Sequence, residues 1–395
     1  MANLILFDDP DIRPALLPFT FTRPVAAIRV GMLTIAEKWA LRLNTQPSFL
    51  TESYLQAKYP ARFSPDNWYV NGAVCPTDAF AEALQILPTN TSLIAPDGRL
   101  LALRTDRSVA AADQLTDVPQ HTTVFAPALP TMRQLWSLIA AHGDQMRADY
   151  VLLTAGRQSQ PITDPFTRCY APENVFVEPG ASIRAAILNA EDGPIYIGRN
   201  AIVSEGSVLV GPFALGEGSM VHYGAKMRKN TSVGPYCKVG GEIGNSILFA
   251  NSNKGHEGYL GDSVVGEWCN LGAGTNTSNL KNDYSTVKLH SYVTGGLVDT
   301  GRLFCGLMMG DYTRAGIGTM FNTGTVVGVN VNVFGGGLPP KHIPSFSWGS
   351  PTDGFTTYRI EKALRVAREA YKRRERAFDD VEERILRTIF DIEER

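Results

Sequence analysis

The stretch "NKGHEGYLGDSVVGEWCNLGAGTNTSN", residues 253 to 279, gathers groups able to do chemistry. His256 is flanked by Gly255 and, past Glu257, by Gly258, two residues beyond Lys254. Glycines let a backbone turn sharply and let a substrate approach closely. An imidazole that titrates near neutrality is the natural base for an amine or hydroxyl attacking an acyl carbon. Asn270, Thr275, Thr277 and Asn279 add polar side chains, and "LGAGT" offers backbone N–H groups to an oxyanion. A lone loop histidine is more often incidental than catalytic. Its setting makes this one a candidate.

That setting is a repeat of six residues. Val177 and Ile183 are six apart; after a two-residue insertion in "NAEDGP", Ile197, Val203, Leu209, Leu215, Val221, Met227, Val233 and Val239 follow at the same interval. The series resumes at Tyr259, Val265 and Leu271, and again from Met309 through Ala315, Phe321, Val327 and Val333. A helix needs spacings of three and four and a half-buried strand needs two. Six fits a left-handed parallel β-helix of hexapeptide units, a triangular prism with aliphatic residues inward and turn residues at the corners. Residues 245 to 258 interrupt the register, so a loop leaving the coil is expected there to carry Lys254 and His256.

The rest of the chain divides around this prism. Only five of the 37 glycines fall in residues 1–165, where apolar runs such as "NLILF" and "NWYV" alternate with helix-like stretches such as "MLTIAEKWALRL". That predicts a mixed α/β domain over 1–165. "RQSQPITDPFTRCYAPEN" reads as a linker, residues 171–350 as the prism, and 356–395 as amphipathic helices. Ile360, Leu364, Ala367 and Tyr371 form one helical stripe, and Val381, Ile385 and Ile389 a second. A formal charge of −2 gives no bulk attraction to nucleic acid or anionic membrane, and acidic residues follow "KRRER" directly. The five cysteines form no CxxC pair, and no signal-like or membrane-spanning stretch is evident, so a cytoplasmic protein with reduced thiols is expected. No metal site is expected on the prism: His222, His256 and His290 lie 34 residues apart with no close pair.

"GHEGYLGDSVVGEWCNLGAGTNTSN" resembles the acetyltransferase signature of the bifunctional N-acetylglucosamine-1-phosphate uridyltransferase/glucosamine-1-phosphate acetyltransferase family, without a gap. The resemblance implies His256 as general base, Tyr259 and Asn270 as sugar-phosphate contacts, Asn279 as a polar partner at the amine, and the Ala273 N–H at the oxyanion. "GEIGNSIL" resembles the family's E-(I/M)-K-x-S segment, with Glu242 retained and Gly244 in place of a substrate-binding lysine. Lys254, or Arg228, Lys229 and Lys238, are the cations left for a phosphate. Coenzyme A contacts are implied around Gly306, Asn322 and Thr323, although Leu307 replaces a serine of the pattern.

The amino-terminal half also resembles that family. In "LLPFTFTRPVAAIRVGMLTI", Thr20, Arg23, Pro24 and Gly31 fit the start of a sugar-phosphate nucleotidyltransferase. The phosphate-cradling G-x-G-T-R loop is replaced by "FDDPDIRP", Val25 stands for a lysine, and Ala73 for a metal-binding aspartate. Asp8, Asp9, Arg13, Thr20 and Arg23 are the candidates for a rearranged site, which would use Mg²⁺ if active. Over nearly its full length the chain resembles a Bacteroidetes group of sugar-nucleotidyltransferase-like proteins assigned as glucose-1-phosphate thymidylyltransferases.

Three readings follow. The first is an acetyl-CoA-dependent acyltransferase acting on an amino sugar 1-phosphate or nucleotide sugar, fused to a divergent nucleotidyltransferase domain and expected by analogy to be a homotrimer. The second is an active UDP- or dTDP-sugar pyrophosphorylase with the prism as oligomerisation scaffold. The third, a purely structural prism, leaves the His256 constellation without a purpose.

Overall fold

The computed structural model describes residues 2–118 and 121–393. They form two compact units: Met1–Arg29, Leu33–Ser137 and Asp380–Thr388 in one, Val30–Met32, Leu138–Asp379 and Ile389–Arg395 in the other.

The first unit is built on a six-stranded mixed sheet, in the order Ser48–Leu50, Asn3–Phe7, Asn67–Asn71, Leu100–Thr105, Thr91–Ile94, His121–Val124. Asn3–Phe7 pairs in parallel with strands on both sides. It is buried over most of its length, as its unbroken apolar run implies for a central strand. Helix α1 (Ile35–Leu43) begins at a capping box, in which Thr34 Oγ1 accepts from the Glu37 N–H and the Glu37 carboxylate from the Thr34 N–H. It ends at Asn44 in the left-handed conformation. Helix α2 (Asp78–Gln85) starts from a Thr77 cap and buries Phe80 against Trp39.

The second unit is a parallel β-solenoid whose three faces are sheets of nine, ten and six strands. The first face starts at Val175–Val177, the second at Ser182–Ile183 and the third at Arg168–Tyr170. All eight residues from Ile197 to Val239 at the six-residue spacing are buried in one apolar core, with Val265, Leu271, Met309, Ala315, Phe321, Val327 and Val333. Apart from Ser347–Ser350 and Gly354–Thr357 at the end of the second face, each strand is only two or three residues long, so stability comes from stacking successive turns over this core. The segment read as a linker is partly coil: Arg168–Tyr170 pairs with Ile187–Asn189.

The interruption is not a loop leaving the coil. Strands Glu242–Gly244, Ile247–Leu248 and Asn253–Lys254 continue all three faces. The turns shorten instead: second-face partners stand 18 apart at Met220 and Lys238, 15 at Lys238 and Asn253, and 17 at Asn253 and Asn270. Corner residues do not fill the inward rows, so residues can be lost there without breaking the ladder. The shortening shifts the register by one, so Leu260, not Tyr259, fills the core. The excursion comes later, between Thr277 and Met308, and carries the antiparallel hairpin Lys288–Ser291/Gly296–Asp299.

Helix α3 (Leu135–Thr154) precedes the solenoid, and α4 (Ile360–Lys372) and α5 (Asp380–Glu393) follow it. The apolar stripe of α4 faces the side of the coil: Leu364, Ala367 and Tyr371 are buried, and the Tyr371 ring stacks on Trp268 at 3.8 Å between centroids. On α5, Ile385 and Ile389 are buried as the second stripe implied.

Candidate functional site

His256 lies at the corner between the second face, which ends at Lys254, and the third, which resumes at Tyr259. Gly258 makes that corner possible: its φ is +123°, and a Cβ there would sit 2.1 Å from the Thr275 carbonyl oxygen. The His256 ring is exposed and makes no hydrogen bond with the described residues. It opens on a hollow of about 320 Å³ also lined by His222, Lys238, Asn253, Asn270 and Ala273. The Ala273 N–H has no acceptor among the described residues, while its carbonyl accepts from Gly318 at 2.8 Å. A free imidazole and a residue with a free backbone donor therefore line one hollow, the pair of groups that acyl transfer uses.

His222 was read only as a poor zinc ligand, yet it belongs to this hollow. It occupies the same corner two turns earlier, and its Nε2 lies 3.3 Å from where a Cβ on Gly255 would be. Burial, and then the charges of Lys238 and His256, hold its pKa below the ordinary histidine value. Its signal in the sequence was the place of His222, Gly240 and Gly255 immediately after the inward residues Val221, Val239 and Lys254 of successive turns.

Tyr259, Glu242, Arg228 and Asn279 form a second group, on and beside the third face. Asn279 Nδ2 donates to the Tyr259 hydroxyl (3.1 Å) and to the Asp262 carboxylate (2.6 Å). Arg228 pairs with Glu242 at 3.2 Å. Burial, and next the Asp262 charge, raise the Tyr259 pKa, so its hydroxyl stays protonated at neutral pH. Asn270 lies with His256, while Tyr259 and Asn279 lie past the corner.

One sequence expectation about the site needs correction. Lys254 is 1% exposed and stands in the inward row above Val239, not toward a substrate. Its ammonium donates to the carbonyls of His256 (2.6 Å) and Gly240 (3.3 Å), and burial lowers its pKa to about 8. Gly306, Asn322 and Thr323 lie at the corner between the third and first faces and do not line the His256 hollow within one chain. Gly306 N donates to Asp262 O at 2.8 Å, and Thr323 O accepts from Lys341 Nζ at 2.6 Å.

In the first unit the candidate residues are buried and joined to one another. Asp8 accepts from Arg13 (2.6 Å), Thr51 (2.5 Å) and the Val25 N–H (2.7 Å). Arg13 also donates to the carbonyls of Thr20 and Arg23, and the Thr20 hydroxyl returns a bond to Arg13 O at 2.8 Å. Asp9 accepts from Asn71 (2.9 Å) and Arg99 (3.0 Å), and from the N–H groups of Asp11 and Ile12. Arg23 is 3% exposed. Cavities of about 450 and 380 Å³ lie beyond the carboxyl end of Asn3–Phe7, where parallel neighbours flank it on both sides. That is the usual ligand crevice of such a sheet. Its carboxylates do not fit a Mg²⁺ site: Asp8 and Asp9 are held by arginines, Ala73 is buried at the expected ligand position, and no group of three metal-ligating side chains occurs among the described residues.

Residues 4–158 match the family model for a sugar nucleotidyl transferase. The chain is similar to the bifunctional protein GlmU of Methanocaldococcus jannaschii, at 36% identity over 104 residues, 26% of this chain and 24% of that one. It is likewise similar to a bifunctional sugar-1-phosphate nucleotidylyltransferase/acetyltransferase of Sulfurisphaera tokodaii, at 31% identity over 102 residues, 26% of this chain and 25% of that one. The chain thus spans about a quarter of the length of the curated relatives it matches. The resemblance to bifunctional proteins of this kind is the one the motif implied, and it extends over about a quarter of the chain. Among solved structures, the acetyltransferase domain of PglB from Neisseria gonorrhoeae covers 90% of this chain and 100% of its own at 9% identity, with a TM-score of 0.18 that carries no argument. No helix among the described residues is long and apolar enough to cross a membrane.

Proposed function

We propose that this protein is an acetyl-CoA-dependent N-acetyltransferase acting on an amino sugar 1-phosphate or a nucleotide sugar, with His256 as general base. The observation that carries the reading is the unpartnered imidazole and the unpartnered Ala273 N–H on one hollow. In the reaction, the His256 ring takes a proton as the sugar amine attacks the thioester carbon. The Ala273 N–H stabilises the oxyanion, and the C–S bond breaks to release coenzyme A, which regains a proton at sulfur. Tyr259, Asn270 and Asn279 orient the sugar, and Arg228 with Glu242 borders its phosphate.

The active form is a homotrimer, with Gly306, Asn322 and Thr323 of a neighbouring copy facing the acyl donor. Tyr223 and Ile317 support a packed neighbour: both occupy the His256 place in other turns and are 72% and 83% exposed. The His256→Ala variant is expected to lose coenzyme A release by a factor of about 10²–10⁴ while keeping its oligomeric state and melting temperature. Turnover at the wild-type rate would sink this reading.

The family match of residues 4–158 favours a second reading, sugar-1-phosphate nucleotidyl transfer in the first unit. It requires pyrophosphate release from UTP or dTTP with a sugar 1-phosphate. Silence across a nucleotide panel would remove it.

A further inference from the structure

Against the second face of the solenoid, α4 covers a cavity of about 510 Å³ that shares only Asn253 and Asn270 with the His256 hollow. Arg314 lines it from the coil and Arg373 and Arg374 from the end of α4, with Asn251, Asn253 and Asn270 on the wall. Glu369 is the one acidic side chain in the lining, and it is exposed.

Arg314 is half-buried, and its guanidinium makes no hydrogen bond or ion pair with the described residues. Its pKa is lowered because burial strips water from the charge. A desolvated guanidinium without an anion is costly, and its planar fork matches two phosphate oxygens. Asn251 supplies an independent sign: it is 6% exposed, and its Oδ1 is buried with no donor. Such an acceptor calls for a hydroxyl or N–H group on whatever fills the cavity. Arg374 is fixed by donation to Tyr236 O and to Asn253 Oδ1, the latter at 2.9 Å, whereas Arg373 stands exposed. Trp268, stacked on Tyr371, stiffens the wall.

We propose that this cavity binds the diphosphate group of a nucleotide-type ligand, with an adjoining ligand hydroxyl or N–H donating to Asn251. Asn253 and Asn270 line both this cavity and the His256 hollow, so a ligand anchored here by its diphosphate extends toward the imidazole. Coenzyme A and a nucleotide sugar both carry that group. The assignment of the far end as the reacting end rests on the acyltransferase reading; the diphosphate site does not.

The test is calorimetric titration of the full chain with inorganic pyrophosphate, coenzyme A and UDP, in wild type, Arg314→Gln, Arg373→Gln and His256→Ala. Expected are binding of pyrophosphate and of at least one larger ligand to wild type, about tenfold weaker binding in Arg314→Gln, and a smaller loss with a shallower salt dependence in Arg373→Gln. Preference for coenzyme A over UDP marks the acyl-donor end; the reverse marks a nucleotide-bearing acceptor. His256→Ala must bind inorganic pyrophosphate like wild type, because His256 does not line this cavity. If it also turns over like wild type while Arg314→Gln loses binding, the base assignment fails and the cavity assignment stands. No binding of any of the three at millimolar concentration, or wild-type affinity in both arginine variants, overturns the proposal. Should Arg314→Gln fail to fold, the surface variant Arg373→Gln decides.

Discussion

The Asp8–Arg13 cluster and the His256 corner are both polar, and they differ in what their groups are free to do. In the first unit Asp8 accepts three hydrogen bonds and Arg13 is shared among Asp8, Thr51, Tyr54 and two carbonyls. Burial raises the Asp8 pKa, with the Arg13 charge acting in the other direction. Such a network fixes a loop after a central strand and leaves little for a triphosphate. At the corner the arrangement is reversed. Lys254 donates to two carbonyls and so holds the turn, while the His256 ring and the Ala273 N–H have no hydrogen-bond partner among the described residues. Where, as at Asp8 and Arg13, the polar groups satisfy one another, the cluster is framework. One that stops short of completion has room for a substrate.

The most severe way to break this contrast is Arg13→Ala. Leaving Asp8 buried without its cation is expected to destabilise the protein by about 3–5 kcal/mol, read by urea denaturation. A loss near zero means that Arg13 is held loosely enough to serve a ligand. Next, Lys254→Met isolates the strut. The wild-type ammonium is disfavoured by burial, so its folded-state pKa of about 8 lies below the unfolded value of 10.5. The penalty is full below pH 8 and is relieved as pH rises from 8 toward 10.5. Wild type should therefore gain on the order of 3 kcal/mol relative to Lys254→Met across that window. A difference that stays flat with pH removes the buried ammonium from the account.

Gly258→Ala tests the corner itself. With φ at +123° and the Thr275 carbonyl in the way, a loss of about 1–3 kcal/mol is expected in thermal unfolding. The smallest effect sharpens the electrostatics of the hollow. In Lys238→Met, one of the charges depressing the His222 pKa is gone, so its NMR titration midpoint should rise by a few tenths of a unit toward the ordinary value. No movement places Lys238 too far from the ring to matter.

Much of the fold was legible because its repeat has a single physical cause. One inward residue per short strand must be apolar, and that requirement wrote the period of six from Ile197 to Val239 into the sequence. The apolar stripes of α4 and α5 were readable for the same reason. Where the turns shorten, the pattern misled: Lys254 looked like a residue on a departing loop and proved to be an inward one. Tyr259 looked inward and proved to be hydrogen-bonded outside the core. A change of one residue at a corner reverses which side chains face in, and spacing alone does not reveal at which corner the change falls.

The sequence by itself determined the solenoid, the apolar identity of its core, and the motif that put His256, Asn270, Ala273 and Asn279 forward together, because inward packing and chain order are local constraints. Only the tertiary structure decided that His222 rises beside His256, that Tyr259 and Asn279 join past the corner, and that Arg314 meets Arg373 and Arg374 beneath α4. Those neighbours are separated in sequence by 20 to 60 residues, and it is the stacking of turns and the return of a helix along the coil that bring them together.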